Sequence, residues 1–377
     1  MKQEELDEIY MRRCLQLARN GQQLAKPNPM VGAVIVSKEG RIIGEEYHVR
    51  CGEGHAEVNA FASVKKEDEP LLHESTIYVS LEPCSHYGKT PPCSDLIIRK
   101  GVKRVVCGCI DPFAKVQGRG VKKIREAGIE VTVGVLEKEC LELNKRFITY
   151  NTHHRPYIIL KWAQTENGFI GLKDNQVLSV SFPFTKMLVH KLRAENDAIL
   201  VGKKTEEQEH PQLTTREWSG PNPEKLVLTS HPTKDKEYAT PSEVLSHLYT
   251  EKKQSLIVEG GNKTLESFLK AGLWDEIRVE TAPFTIEDGV RAPQLPHDIH
   301  IVSAEEYGKD IEEITLLLEG EMEDVSGTLK EKMKEAAEKK EFEKAARLRD
   351  GIQAVYALRG QNIVQAMDPE SRDYIAW

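Results

Sequence analysis

No run of apolar residues in the 377-residue chain is long enough to cross a bilayer, and no apolar segment follows the acidic start MKQEELDEIYMRRC. Neither a membrane span nor a secretory leader is therefore expected, and a cytoplasmic location is. Basic residues are in deficit, 52 Lys and Arg against 60 Asp and Glu, for a formal net charge of −8. Duplex-binding proteins normally carry a basic excess, so nucleic acid is not an expected partner. Cysteine is scarce and odd in number: Cys14, Cys51, Cys84, Cys93, Cys107, Cys109 and Cys140. That usage argues against a disulfide framework. The C-terminal 237 residues hold none, so any thiolate chemistry belongs to the N-terminal part.

What is present reads as soluble α/β protein of two or three domains. Residues 6–19 have helical periodicity, with Leu6, Ile9, Tyr10, Cys14, Leu17 and Ala18 on one side. KPNPMVG breaks that helix. AVIVS and IIGEEYH read as a hairpin around the turn KEGR. Strands and helices then alternate to IEVTVGV, and a second α/β pattern starts at RPYIILKWA. In it, Gly260-Gly261 joins the strand SLIVE to the helix NKTLESFLKAG. That junction reads equally as an anion site at a helix N-terminus or as a tight turn. After ITLLLEGE the composition shifts to Ala, Glu, Lys and Leu. Two amphipathic helices are expected there, forming either a hairpin or a solvated helical tail.

Chemistry concentrates around GHAEVNA and EPCSHYGKTPPC. His55, Cys84 and Cys93 supply one imidazole and two thiols, a three-ligand zinc set that leaves a fourth position for water. Glu57, two residues after His55, can carry a proton from that water to a leaving amine. His-x-Glu followed by Pro-Cys is the signature of zinc nucleobase deaminases. For any single residue a surface histidine or a buried thiol is the commoner outcome; the combination is what selects the metal reading. The eight residues between the two cysteines form a wide loop offering His86 and Lys89 to a phosphate. The Asn28 amide, in KPNPM, can read a pyrimidine edge. Cys107 and Cys109 read as core.

The stretches PNPMVGAVIV, GEEYHVRCGEGHAEVNA, EPCSHYGKTPPC and DPFAKVQGRG resemble the deaminase domain of the bifunctional riboflavin-biosynthesis deaminase/reductase family. RPYIILKWAQTENGFIG, HKLRAENDAILVG, HPQLTTR, LIVEGG and GLWDEIRVETAPF are similar to that family's reductase domain. The resemblance implies a cytidine-deaminase-like three-layer α/β domain over 1–150 and a dihydrofolate-reductase-like α/β domain over 151–319. It implies zinc on His55, Cys84 and Cys93, and Glu57 as proton shuttle. It implies substrate contacts from Asn28, His48, His86 and Lys89, and in the second half from Arg193, Leu213, Arg216 and Glu259. Ala163, Thr205 and Gly261 would face NADPH. A phosphorylated pyrimidine would be the substrate, and a homo-oligomer the assembly.

The second half departs from the family pattern at Asn167-Gly168, Glu209-His210 and Ser179-Val180-Ser181, and only 43 positions separate Arg216 from Glu259. The short interval sets an expectation of weak or absent reduction. It also motivates an alternative, a deaminase whose second half serves as a structural or dimerising platform. Two further readings are a deaminase acting on bases in nucleic acid and an interaction protein built around the tail. The acidic charge and the Lys89 loop oppose the first, and the metal set opposes the second. The tail, over 327–360, resembles the helical-hairpin motif of excision-repair nuclease subunits B and C, which implies a protein partner for it.

Overall fold

A computed structural model describes residues 2–87, 91–112, 117–173, 178, 183–296 and 333–334. The segment 1–296 forms one compact unit. It contains two large sheets, each enclosed by helices, and one two-stranded sheet.

The first sheet comprises β1 (Gly32–Val36), β2 (Ile42–Tyr47), β3 (Thr76–Val79), β4 (Arg104–Cys107) and β5 (Glu130–Val133), in the order β2-β1-β3-β4-β5. β1 pairs antiparallel with β2 and β3, whereas β3, β4 and β5 run parallel. Five helices accompany it: α1 (Gln3–Arg19), α2 (Ala56–Ser63), α3 (Cys93–Lys100), α4 (Arg119–Glu126) and α5 (Glu137–Leu143). Every residue of β1 is buried, as a strand covered on both faces requires. Ala33, Ile35, Ile77, Val79 and Val105 pack with Ala60, Phe61, Ile97 and Ile124 of α2, α3 and α4. Val34, Val36, Tyr78 and Val106 point the other way, onto Met11, Cys14 and Leu15 of α1. The result is three layers, helix, sheet and helix. Gly101, at φ 68°, closes α3 in the left-handed region that glycine adopts without strain.

One face differs from the expected one. Ile9 is exposed and Leu6 and Tyr10 only half-buried, while Asp7 is buried beside Met11, Cys14, Leu15 and Ala18. The cause is a polar cluster. Arg104 donates to both Asp7 oxygens at 2.8 and 2.7 Å, and the Tyr78 hydroxyl donates at 2.9 Å. A charged residue thus holds a core position because its partner reaches it from β4. Burial pushes the Asp7 carboxyl up, but the hydrogen bonds from Arg104, Gln3 and Tyr78 outweigh it and leave it below its usual value of 3.8. Its contribution to stability is complete above pH 3.8 and is lost as pH falls through the lower, folded value. Asp7→Asn is expected to cost about 3 kcal/mol, because the largely buried Arg104 guanidinium loses its buried counter-charge and keeps only the exposed Glu130 and the Thr132 hydroxyl. Urea unfolding at pH 7 measures this, and the deficit should shrink at low pH. Equal stability of the two proteins at pH 7 would remove the pair from the core's support.

Helix α6 (Lys145–His153) leads into the second half. There β6 (Tyr157–Thr165), β7 (Phe169–Gly171), β8 (Ala198–Gly202), β9 (Glu224–Leu228), β10 (Glu237–Tyr238), β11 (Ser255–Glu259), β12 (Glu276–Ala282) and β13 (Val290–Arg291) follow, with helices α7 (Pro183–Glu195), α8 (Lys203–Glu209), α9 (Pro241–Thr250) and α10 (Asn262–Lys270). Six strands form a parallel sheet, β10-β9-β8-β11-β6-β12, and β7 pairs with β13. The connections of β8 and β11 run in opposite directions along the sheet, which makes their carboxyl ends the switch point at which open parallel sheets bind ligands. The short Arg216–Glu259 interval holds β9, β10 and α9, and the sheet is continuous across it. The tail over 327–360 lies outside the described residues apart from 333–334, which are helical.

Candidate metal centre and reductase cleft

His55 is the N-cap of α2, and Cys93 is the first residue of α3, directly after Pro91-Pro92. Pro92 is in extended backbone, at ψ 148°, as the cap, so α3 starts at the cysteine. Cys84 follows β3 on the loop that Ser80 and Leu81 begin. Three separate elements thereby bring one ligand atom each into a cluster in which all lie within 4.8 Å of one another. His55 Nδ1 is 3.6 Å from Cys84 Sγ and 3.4 Å from Cys93 Sγ. The Cys93 backbone N–H donates to Cys84 Sγ at 3.3 Å. The hydrogen bond from Cys93 holds the Cys84 thiol well below its usual range, and the same contact, together with burial, pushes the Cys93 thiol up. Cys93 also sits where the positive end of a helix favours a thiolate. Two thiols and an imidazole at this spacing fit one zinc ion with a position left open.

Glu57, in the first turn of α2, is 3% exposed. Burial, then the negative charge at Cys84, pushes its carboxyl to about 7, with His55 acting against both. It is therefore able to hold and to release a proton near neutrality.

Beside the cluster, the His48 ring meets the His55 ring edge-on with centroids 5.4 Å apart. His48 Nδ1 lies 3.0 Å from the Gly54 carbonyl, so that nitrogen carries the hydrogen. Nε2 then accepts from the Asn28 amide nitrogen at 3.0 Å. Burial lowers the His48 pKa and keeps the ring neutral, as this arrangement needs. One Asn28 N–H is committed to His48, which fixes the flip of the amide. His86 is exposed on the loop, and Lys89 lies outside the described residues.

In the second half, Arg193 of α7 donates to Glu259 at 2.8 Å and lies 3.5 Å from the Thr214 carbonyl. The Arg193 Nε and one Glu259 oxygen are buried without a hydrogen-bond partner, polar capacity that a bound molecule could fill. Leu213 is buried at φ 53°, a costly conformation for a branched residue. Arg216 is exposed and near Thr214. At these strand ends, a Cβ on Gly202 would collide with the Thr264 hydroxyl, and one on Gly260 would lie 3.3 Å from the Gly202 nitrogen. Only glycine lets these two turns approach so closely. The Thr205 hydroxyl stands about one contact distance, 4.0 Å, from where a Gly261 Cβ would be. Ala163 lies beyond Lys161, which pairs with Glu259, and thus at the same carboxyl edge. These groups fit a phosphate-bearing dinucleotide laid over the strand ends. Asn167 performs a turn role, accepting from the Thr165 hydroxyl at 2.8 Å and donating to the Ile286 carbonyl at 2.7 Å. Glu209-His210 ends α8, with His210 at φ 43°. Ser179-Val180-Ser181 lies outside the described residues.

Two residues with evident work escaped the sequence reading. Glu82, directly before Pro83-Cys84, is buried and accepts from the backbone N–H groups of Asp111, Gly118, Gly120 and Val121. Asn144, between α5 and α6, grips Met30 through both its N–H and its carbonyl. Glu82 could have been suspected from its place in the cysteine motif; Asn144 had no local signal.

Fold and site together define a zinc-dependent deaminase domain of the cytidine-deaminase kind, followed by a reductase domain. The family model "Cytidine and deoxycytidylate deaminase zinc-binding region" matches residues 4–109, and "RibD C-terminal domain" matches 156–312. The chain belongs to the bifunctional riboflavin-biosynthesis deaminase/reductase family. It is 39% identical to riboflavin biosynthesis protein RibD of Aquifex aeolicus over 328 residues, covering 77% of this chain and 91% of that protein. Among solved structures it is similar to the diaminohydroxyphosphoribosylaminopyrimidine deaminase/5-amino-6-(5-phosphoribosylamino)uracil reductase of Thermotoga maritima, at 34% identity and TM-score 0.71. That match covers 80% of this chain and 94% of the other. The "UvrB/uvrC motif" matches 327–358. A 76-residue stretch is 97% identical to UvrABC system protein C of Treponema denticola, covering 20% of this chain and 12% of that protein. The matches across both domains favour the two-activity reading over a deaminase with a merely structural second half. No described helix is long and apolar enough to cross a membrane.

Proposed function

We propose that the chain catalyses two successive steps on one phosphorylated pyrimidine. The first is hydrolytic deamination of 2,5-diamino-6-ribosylamino-4(3H)-pyrimidinone 5′-phosphate. The second is reduction of the ribosyl chain to ribityl. The observation that carries the first step is the convergence of His55, Cys84 and Cys93 beside a buried Glu57. Zinc held by these three residues supplies the Lewis acidity that makes water nucleophilic near neutral pH. Glu57 takes the proton from the attacking water and returns it to the leaving amine, which departs as ammonia. His48 orients the Asn28 amide toward the pyrimidine edge, and His86 and Lys89 take the phosphate. In the second half, Arg193, Leu213, Arg216 and Glu259 hold the substrate, and Ala163, Thr205 and Gly261 hold NADPH, which supplies the hydride.

The deaminase half is assigned to 1–150, the reductase half to 151–319 and the hairpin to 327–360. The assembly is a homo-oligomer in the cytoplasm, and the hairpin docks a protein partner. Incubation with substrate and mass spectrometry of the products test the scheme: the deaminated intermediate should accumulate without NADPH and be consumed with it. Given the intermediate and excess NADPH, loss of reduced-nicotinamide absorbance should correspond to turnover above about 1 s⁻¹. No consumption would reinstate the platform alternative.

The tail matches a segment of a different protein and carries no group assigned to either step. Truncation after Glu319 is therefore expected to change deamination less than about twofold, within the ordinary scatter of changes remote from a site. Loss of zinc or turnover in a truncated protein that stays soluble would make the tail part of the enzyme.

A further inference from the structure

The loop that carries Asn28 is held from outside the first sheet. On one side, Asn144 grips Met30, receiving its N–H at 2.8 Å and donating to its carbonyl at 2.9 Å. On the other side, both preceding residues are held by the second half. Gln254 Nε2 donates to the Pro27 carbonyl at 2.7 Å. Lys26 Nζ donates to Asp197 Oδ1 at 2.9 Å and to the Glu195 carbonyl at 3.0 Å. The other Asp197 oxygen accepts from the Gln254 backbone N–H at 2.8 Å and from the Ser255 hydroxyl at 3.2 Å. Asp197 and Gln254 are thus one unit, placed immediately before β8 and β11.

These groups are largely dry. Gln254 is 4% exposed, and the Lys26 and Asp197 side chains 26% and 14%. Burial pushes the Asp197 carboxyl up, and the charge and hydrogen bond of Lys26, with the hydrogen bonds from Gln254 and Ser255, more than offset it. Simple adhesion between the halves has other sources. Lys145 meets Glu276 at 2.9 Å and Arg146 meets Asn196 at 3.1 Å, and neither touches the loop. What is specific to Lys26, Asp197 and Gln254 is their target. Pro27 and Pro29 flank Asn28, and their fixed φ makes the segment stiff, so a displaced Pro27 carries Asn28 with it.

We propose that Gln254, Asp197 and Lys26 are positioning residues for deamination: from the reductase half they fix the backbone on which Asn28 is mounted. The proposal rests on the assignment of Asn28 to substrate binding. Deaminase affinity is then set partly by the second half, although no residue of that half touches the reacting atoms.

The test uses the full chain with zinc, following ammonia release from the diaminopyrimidinone substrate. Loss of one buried hydrogen bond sets the scale: Gln254→Leu and Lys26→Met should each raise KM about three- to tenfold, with kcat within about twofold. Zinc per chain should be unchanged, Lys26→Arg should restore KM, and Arg146→Met should leave it alone. In an Asn28→Ala background, the loop variants should add nothing. If Asn28→Ala itself leaves KM unchanged, the assignment of Asn28 fails and the proposal falls with it. If Asn28→Ala raises KM and the loop variants do not, or if their effects add in full, the positioning role alone is overturned. Should Gln254→Leu not fold, the comparison of Lys26→Met with Lys26→Arg decides the matter.

Discussion

Glu57→Gln is expected to keep its zinc and to lower deamination at least about 100-fold, the usual scale for loss of a general acid/base. The two side chains have nearly the same shape, so the first turn of α2 and the position of His55 should survive the change. What disappears is the ability to accept a proton from water and pass it to the amine. KM should move little, because the variant still fills the same buried position. Metal content by atomic emission and steady-state ammonia release give the two readouts. Near-normal kcat in a zinc-loaded variant would remove Glu57 from the proton path.

The second large effect is expected at the ligands. The wild-type chain should carry about one zinc, and Cys84→Ser or Cys93→Ser should lose it together with deamination. A serine hydroxyl is a far poorer zinc ligand than a thiolate, and two remaining ligands hold the ion weakly. Cys107→Ser is the control: that thiol is buried in β4 among core residues and outside the cluster. Full zinc retention in Cys93→Ser would overturn the ligand assignment. Chelation of wild-type protein should abolish deamination, and added zinc should restore it.

The metal cluster was legible because its signals are local. His55 and Glu57 share one helical turn, and Cys84 and Cys93 bracket one loop. Strands such as AVIVS and SLIVE were legible as apolar runs, and the structure buries all of β1 and all but the last residue of β11. The buried face of α1 was misread because periodicity counts apolar residues, and Asp7 gains its place from Arg104, nearly a hundred positions away. Long-range pairs of this kind leave no trace in a local pattern, and Lys26 with Asp197 is another. The short Arg216–Glu259 interval set an expectation of weak reduction. Within it β9, β10 and α9 form, and both strands join the sheet.

Glu82 has a consequence for how this half of the molecule opens. Its two oxygens collect one backbone N–H from Asp111, after β4, and three from Gly118, Gly120 and Val121 at the entry to α4, and Gly120 packs so tightly on the Pro83 carbonyl that a side chain there would collide with it. The metal loop and the start of α4 therefore cannot separate without exposing a buried carboxylate and three amides at once. In hydrogen exchange they should behave as one cooperative unit: the amides of Gly118, Gly120 and Val121 should open together, in a single event shared with the cysteine loop, rather than fray one by one from the helix end.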